Sequence, residues 1–149
     1  MNSEHIALVQ RSFADIVSLT DIAAAVFYER LFVLDPTLRA LFHGDMRAQG
    51  RKLMAMLRAA VTGLSRLEEL VPVVQELGVR HRSYGVKDAH YATVGAALLW
   101  TLEQGLREQF TPEVRAAWTS AYALLADTMR AAAAAAETPQ PIPADVLTG

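Results

Sequence analysis

Between residues 67 and 102 the apolar side chains keep a helical period twice over, with a histidine at the join. Leu67, Leu70, Val74 and Leu77 recur at steps of three or four, which marks one face of a helix with 3.6 residues per turn. His81 follows Leu77 by four residues and continues that face. Gly85 and Val86 break the pattern, and a second helical run goes from Asp88 through Tyr91, Val94, Leu98, Trp100 and Leu102. A chain built round this stretch must hold a titratable nitrogen against its core, beside a turn and between two helices. On spacing alone such a histidine is more often a core residue with its nitrogens hydrogen-bonded than a metal or cofactor ligand; both readings stand at this point.

The rest of the chain is helical by the same test. Ile6, Val9, Phe13, Ile16 and Val17 predict a helix over residues 4–19, with Ser3 available as a cap. Thr20 or Asp21 caps a second, running through Val26, Phe27, Leu31 and Leu34. Asp35-Pro36 restarts the chain as N-cap and first helical position, and His43-Gly44-Asp45 is a turn by composition. Leu53, Leu57 and Leu64 share a face of a helix over residues 49–64. Pro72 predicts a break, with regular helix starting near it and residues 66–71 irregular. Thr111-Pro112-Glu113 opens the last helix, which carries Val114, Trp118, Ala121, Leu125 and Met129. No run alternates with period two, so the expected class is all-α, with seven or eight helices. A domain over residues 1–135 is expected, followed by a Pro-rich, flexible tail over residues 136–149.

Composition removes several functions. Apolar residues make up 52%, enough for a packed core. Net charge is −2, from 14 basic and 16 acidic residues, so neither nucleic acid nor an anionic membrane is an expected partner. There is no cysteine, which excludes disulfides, thiolate catalysis and thiolate-held metals. Glu4, Arg11 and Asp15 interrupt any leader-like apolar run, and no stretch reaches the ~18 apolar residues of a membrane span. A soluble, cytoplasmic protein is the expectation.

The stretch Leu77-Gly-Val-Arg-His81-Arg-Ser-Tyr-Gly-Val86, then His90-Tyr91 and Val94-Gly95-Ala-Ala-Leu-Leu99, closely resembles bacterial single-domain haem globins, the flavohaemoglobin-type globin domain without its reductase. The likeness continues through Phe110-Thr-Pro-Glu-Val114 and Ala117-Trp118 to Ala121-Tyr122, and covers about residues 3–134. It implies a globin fold, a 3-on-3 helical sandwich around haem b, with His81 as the proximal iron ligand.

The resemblance also assigns the other side of the haem. Tyr28, which shares a helix face with Ala24 and Leu31, would point its hydroxyl at the bound gas; without the family it reads as an amphipathic tyrosine reaching solvent. Gln49 and Leu53 match the distal pair of these globins. Aligning forward from Phe42 puts Lys52 in the distal place, whereas aligning back from His81 gives Gln49 without a gap and leaves Leu53 on the apolar face. Phe42 matches the phenylalanine that stacks on the haem, Lys52 stands at the pocket mouth facing a propionate or solvent, and Val86, Tyr91 and Val94 are set at the haem. Flavohaemoglobins flank the proximal histidine with a tyrosine and a glutamate; Tyr91 matches the first, but Ala133 stands in place of the second.

The function this implies is reversible binding of dioxygen, and of nitric oxide or carbon monoxide, at a five-coordinate iron. A nitric oxide dioxygenase is the alternative; the chain is too short to add flavin and nicotinamide domains, so turnover would need a separate reductase. A gas sensor is a third reading.

Overall fold

The computed structural model describes residues 1–137. Its α-helices are α1 (Ser3–Ile16), α2 (Thr20–Leu34), α3 (Met46–Gly63), α4 (Leu67–Ser83), α5 (Asp88–Leu106) and α6 (Pro112–Glu137). Short 3-10 segments span Val17–Leu19, Pro36–Leu41 and Arg107–Gln109, and no strand occurs among the described residues. Six α-helices and three 3-10 segments thus replace the seven or eight helices that the spacing predicts. α1, α3 and α4 form one layer and α2, α5 and α6 the other: α4 and α1 lie on α6, α3 lies on α2, and α2 lies beside α5. This is an all-α sandwich of three helices on three, as the resemblance implies.

Several helix starts follow the sequence signals. Asp35 accepts from the Thr37 amide at 3.1 Å ahead of Pro36, and Thr111 Oγ1 accepts from the Val114 amide at 3.2 Å. Others differ. Asn2, not Ser3, caps α1, its Oδ1 accepting from the His5 amide at 2.8 Å. Neither Thr20 nor Asp21 caps α2, because the chain enters that helix directly from a 3-10 turn. α3 begins at Met46, three residues early, since Asp45 Oδ1 accepts from the Arg47 amide at 2.9 Å. Helix also runs unbroken from Leu67 through Pro72. The proline stands in the second turn, where it removes a single bond, to a carbonyl at exposed Glu68 that water can satisfy.

The core is apolar and continuous, with Val9, Leu31, Leu64 and Leu102 sealed from solvent. Trp118 belongs to it: its Nε1 donates to Ser12 Oγ at 2.8 Å and ties α6 to α1. α6 extends to Glu137, past the expected start of the tail at residue 136; the expected flexible stretch over residues 138–149 lies outside the described residues. Among the described residues no helix is long and apolar enough to cross a membrane.

Candidate functional site

Tyr28 and Gln49 lie 21 residues apart in sequence, and a helix crossing brings them together. A Cβ placed on Gly50 of α3 would come within 2.9 Å of Ala24 Cβ on α2, so the two backbones are in close contact there. Gln49 precedes that glycine and Tyr28 follows that alanine by one turn. The Gln49 side chain comes near enough to the Tyr28 hydroxyl to favour its ionised form. Tyr28 is 7% exposed and ringed by aromatics. Phe27 lies edge-on at 5.0 Å, Phe42 edge-on at 5.3 Å and Phe32 stacked at 6.0 Å between ring centroids. Burial raises the phenol's pKa while Gln49 pulls it back.

Leu53, one turn after Gln49, packs against the core and lines a cavity of about 10 Å³ with Phe27, Met54, Leu57 and Leu98. Lys52 is exposed on α3.

His81 is half-buried near the end of α4, with its Nδ1 2.9 Å from the Leu77 carbonyl oxygen. A carbonyl only accepts, so Nδ1 carries hydrogen and the neutral ring has its lone pair at Nε2. Burial lowers the pKa of His81; the Leu77 bond opposes this and the charge of Arg80 adds to it. The ring is therefore a neutral imidazole with one free nitrogen. The backbone behind it is held by another close crossing, where a Cβ on Gly78 would stand 2.3 Å from Met129 O and 2.6 Å from Met129 Cα. Past α4 the chain turns at Gly85 (φ +98°), and the Val86 amide returns to the His81 carbonyl at 3.1 Å.

The structure therefore gathers Tyr28, Gln49 and Phe42 on the α2–α3 side, and His81 and Val86 on the α4 side. Gly85 lies against Leu41, whose Cδ2 is 3.2 Å from where a Cβ would sit, so the two sides meet at that edge. Tyr91 and Val94 come from α5. Tyr91 is buried, its carbonyl accepts from Tyr122 Oη at 2.6 Å, and the Arg130 guanidinium lies 5.7 Å from its ring centre. Val94 is partly buried against the core. Ala133, one turn past Met129, is buried and offers His81 no carboxylate. His90 is occupied in capping, its Nδ1 accepting from the Lys87 amide at 3.0 Å. Sequence reasoning missed the two close crossings: Gly50 and Gly78 sit inside regular helices, where only a close neighbour on another helix accounts for a glycine.

Burial raises the pKa of Tyr28, Tyr91 and Tyr122; Asp88 adds to the rise at Tyr91, and Tyr91 adds to it at Tyr122. Groups whose folded pKa lies above the unfolded value of ~10 contribute stability fully below that pH and lose it as pH climbs toward the folded values. Titrated with alkali, the protein should show phenolate absorbance rising together with the loss of helical circular dichroism. Smooth ionisation of all four tyrosines with the helices intact would contradict this burial.

Comparison with known proteins bears on this arrangement. A sequence profile described as Globin matches residues 25–129. The chain is 33% identical over 104 residues to a Flavohemoprotein of Bacillus subtilis (strain 168), a match covering 68% of this chain and 26% of that protein. It is 38% identical over 104 residues to Flavohemoproteins of Bacillus thuringiensis subsp. konkukian (strain 97-27) and of Bacillus anthracis, covering 68% of this chain and 25% of each. The chain thus spans about a quarter of the length of these relatives.

Proposed function

Because this chain belongs to the globin family, we propose that it holds haem b on His81 and binds dioxygen reversibly beside Tyr28 and Gln49. The observation that carries the proposal is the state of His81: a half-buried, neutral imidazole with Nδ1 committed to Leu77 and Nε2 free. One imidazole fills a single coordination position, which suits a metal that a macrocycle carries in. Phe42, Val86, Tyr91 and Val94 would enclose the macrocycle, with Lys52 beside a propionate. When bound, the haem would supply an iron able to take up a diatomic gas.

The protein's own groups then do three things. The Leu77 carbonyl keeps the His81 ring in one tautomer and stops it turning. Phe27, Phe32 and Phe42 hold the Tyr28 ring in place. Tyr28 holds its proton at Oη, and Gln49 beside it would orient that O–H toward the gas. Dioxygen takes on negative charge when it binds, and a hydrogen bond from a buried hydroxyl to such a gas is worth ~1.5–3 kcal/mol, one to two decades of affinity. Nitric oxide and carbon monoxide would compete for the same place. Tyr28→Phe should raise the dioxygen dissociation rate about tenfold or more, read by stopped-flow displacement; an unchanged rate would remove Tyr28 from this role.

The primary test is the visible spectrum of the purified protein, ferrous under argon and then after oxygen is admitted. One broad band that splits into two supports an open site. A split spectrum before oxygen means an internal sixth ligand and overturns the assignment of Gln49 and Leu53. No Soret band even after haem is added overturns haem binding altogether.

A second reading, nitric oxide dioxygenation with electrons from a separate reductase, takes its support from the flavohaemoprotein relatives. Against it stands the lack of an acid behind His81 among the described residues. Ala133 is a buried methyl, and the ring N–H goes to a neutral carbonyl, so no carboxylate raises the basicity of the imidazole. Nitrate formed at catalytic turnover with a reductase would favour this second reading.

A further inference from the structure

α2 and α5 lie side by side, and both carry apolar residues on exposed as well as buried faces. Helices of that kind are normally buried on every face, yet these two leave large apolar groups in water. Val33 and Leu34 of α2 are 64% and 41% exposed, and Trp100 of α5 is 37% exposed. A groove of about 430 Å³ follows this face, its floor formed by Leu34, Ala92, Ala96, Leu99 and Trp100.

We propose that this face joins two copies of the chain about a twofold axis that crosses α5 at Ala96. Asp88, Ala92, Ala96, Leu99 and Glu103 recur at steps of three or four and form one stripe along α5. A twofold axis at Ala96 runs two such stripes antiparallel and sets Trp100 against the partner's Ala92. A large ring then enters a gap left by small side chains, the packing that lets two helices approach closely.

Charge selects the same pairing. The Arg30 guanidinium lies 4.1 Å from the Trp100 ring centre, and no carboxylate pairs with it among the described residues. Asp88, one turn before Ala92, is exposed and equally without an ion pair. The twofold axis carries each Arg30 toward the partner's Asp88. A surface with one unpaired charge of each sign at opposite ends complements itself, whereas a uniformly acidic or basic partner would leave one of them unmatched. The proposal is independent of what the His81 site binds.

Sedimentation velocity of the full chain tests it. The wild type should sediment at twice the 16.3 kDa chain mass at roughly micromolar to tens of micromolar concentration. Trp100→Glu should raise the dissociation constant ~100-fold and yield a 16.3 kDa species with unchanged helical circular dichroism. Ala96→Glu, on the same exposed stripe, serves if the first variant fails to fold. Arg30→Asp and Asp88→Arg should each weaken association about tenfold, and their combination should restore it. A wild type that remains 16.3 kDa up to ~100 micromolar overturns the proposal. So does a dimer indifferent to both glutamate variants, or a charge-swapped pair that shows no rescue.

Discussion

Replacing His81 by glycine should cost the protein its Soret band, and free imidazole should bring it back. Removing the ring leaves a space shaped for imidazole between Leu77 and the α4–α5 corner, and costs the helix only ~1 kcal/mol of propensity. The fold should survive, because His81 is half-buried and its ring makes one hydrogen bond among the described residues, to its own helix. The expected sequence is therefore unchanged far-ultraviolet circular dichroism, weak retention of haem, and recovery of the five-coordinate ferrous spectrum as imidazole is added. A full Soret band without imidazole would mean that another residue holds the iron. His90 would then need testing, nine residues on, with one of its nitrogens already taken by the Lys87 amide.

The second large effect concerns the fold behind that histidine. At Gly78 any side chain begins with a Cβ 2.3 Å from Met129 O and 2.8 Å from Met129 C, and both are backbone atoms inside α6. Neither helix can yield locally, so α4 must move off α6 as a body. Gly78→Val should lower stability by ~3 kcal/mol or more, or ~6–12 °C in Tm for a chain of this size. Gly78→Ala should also destabilise, although alanine favours helix by ~1 kcal/mol over glycine, because the clash falls on its only added atom. Gly105→Ala is the matched control: its Cβ would meet Ile16 Cγ2 at 3.3 Å, a methyl that can give way, and the substitution should be close to neutral. Urea unfolding of the three variants against wild type decides the matter. Equal midpoints for Gly78→Val and wild type would refute the close crossing of α4 and α6.

The helices themselves were legible because their causes are local. Apolar spacing of three and four, Asp35-Pro36 and Thr111-Pro112 act within a turn or two of where they stand, and so they can be read from the chain. The orientation of His81 is local too, since its partner is Leu77 in the preceding turn. Where local rules compete, the reading failed. Pro72 is a helix breaker by type, but one lost bond at an exposed carbonyl is outweighed by packing of α4 along α6. Asn2 and Ser3 are both good caps, and geometry chose the first.

What the sequence determined by itself is a set of helices with apolar faces, a histidine on the inner face of one of them, and a likeness to globins that names a partner for that histidine. Only the tertiary structure decided which distant residues meet. Tyr28 reaches Gln49 because Gly50 lets α3 settle on Ala24 of α2. Trp118 is spent on Ser12 within the core, so Trp100 is the tryptophan left at the surface. Contacts of this kind depend on how whole helices cross, and a crossing is set by the summed fit of many side chains at once. No single position in the chain records it.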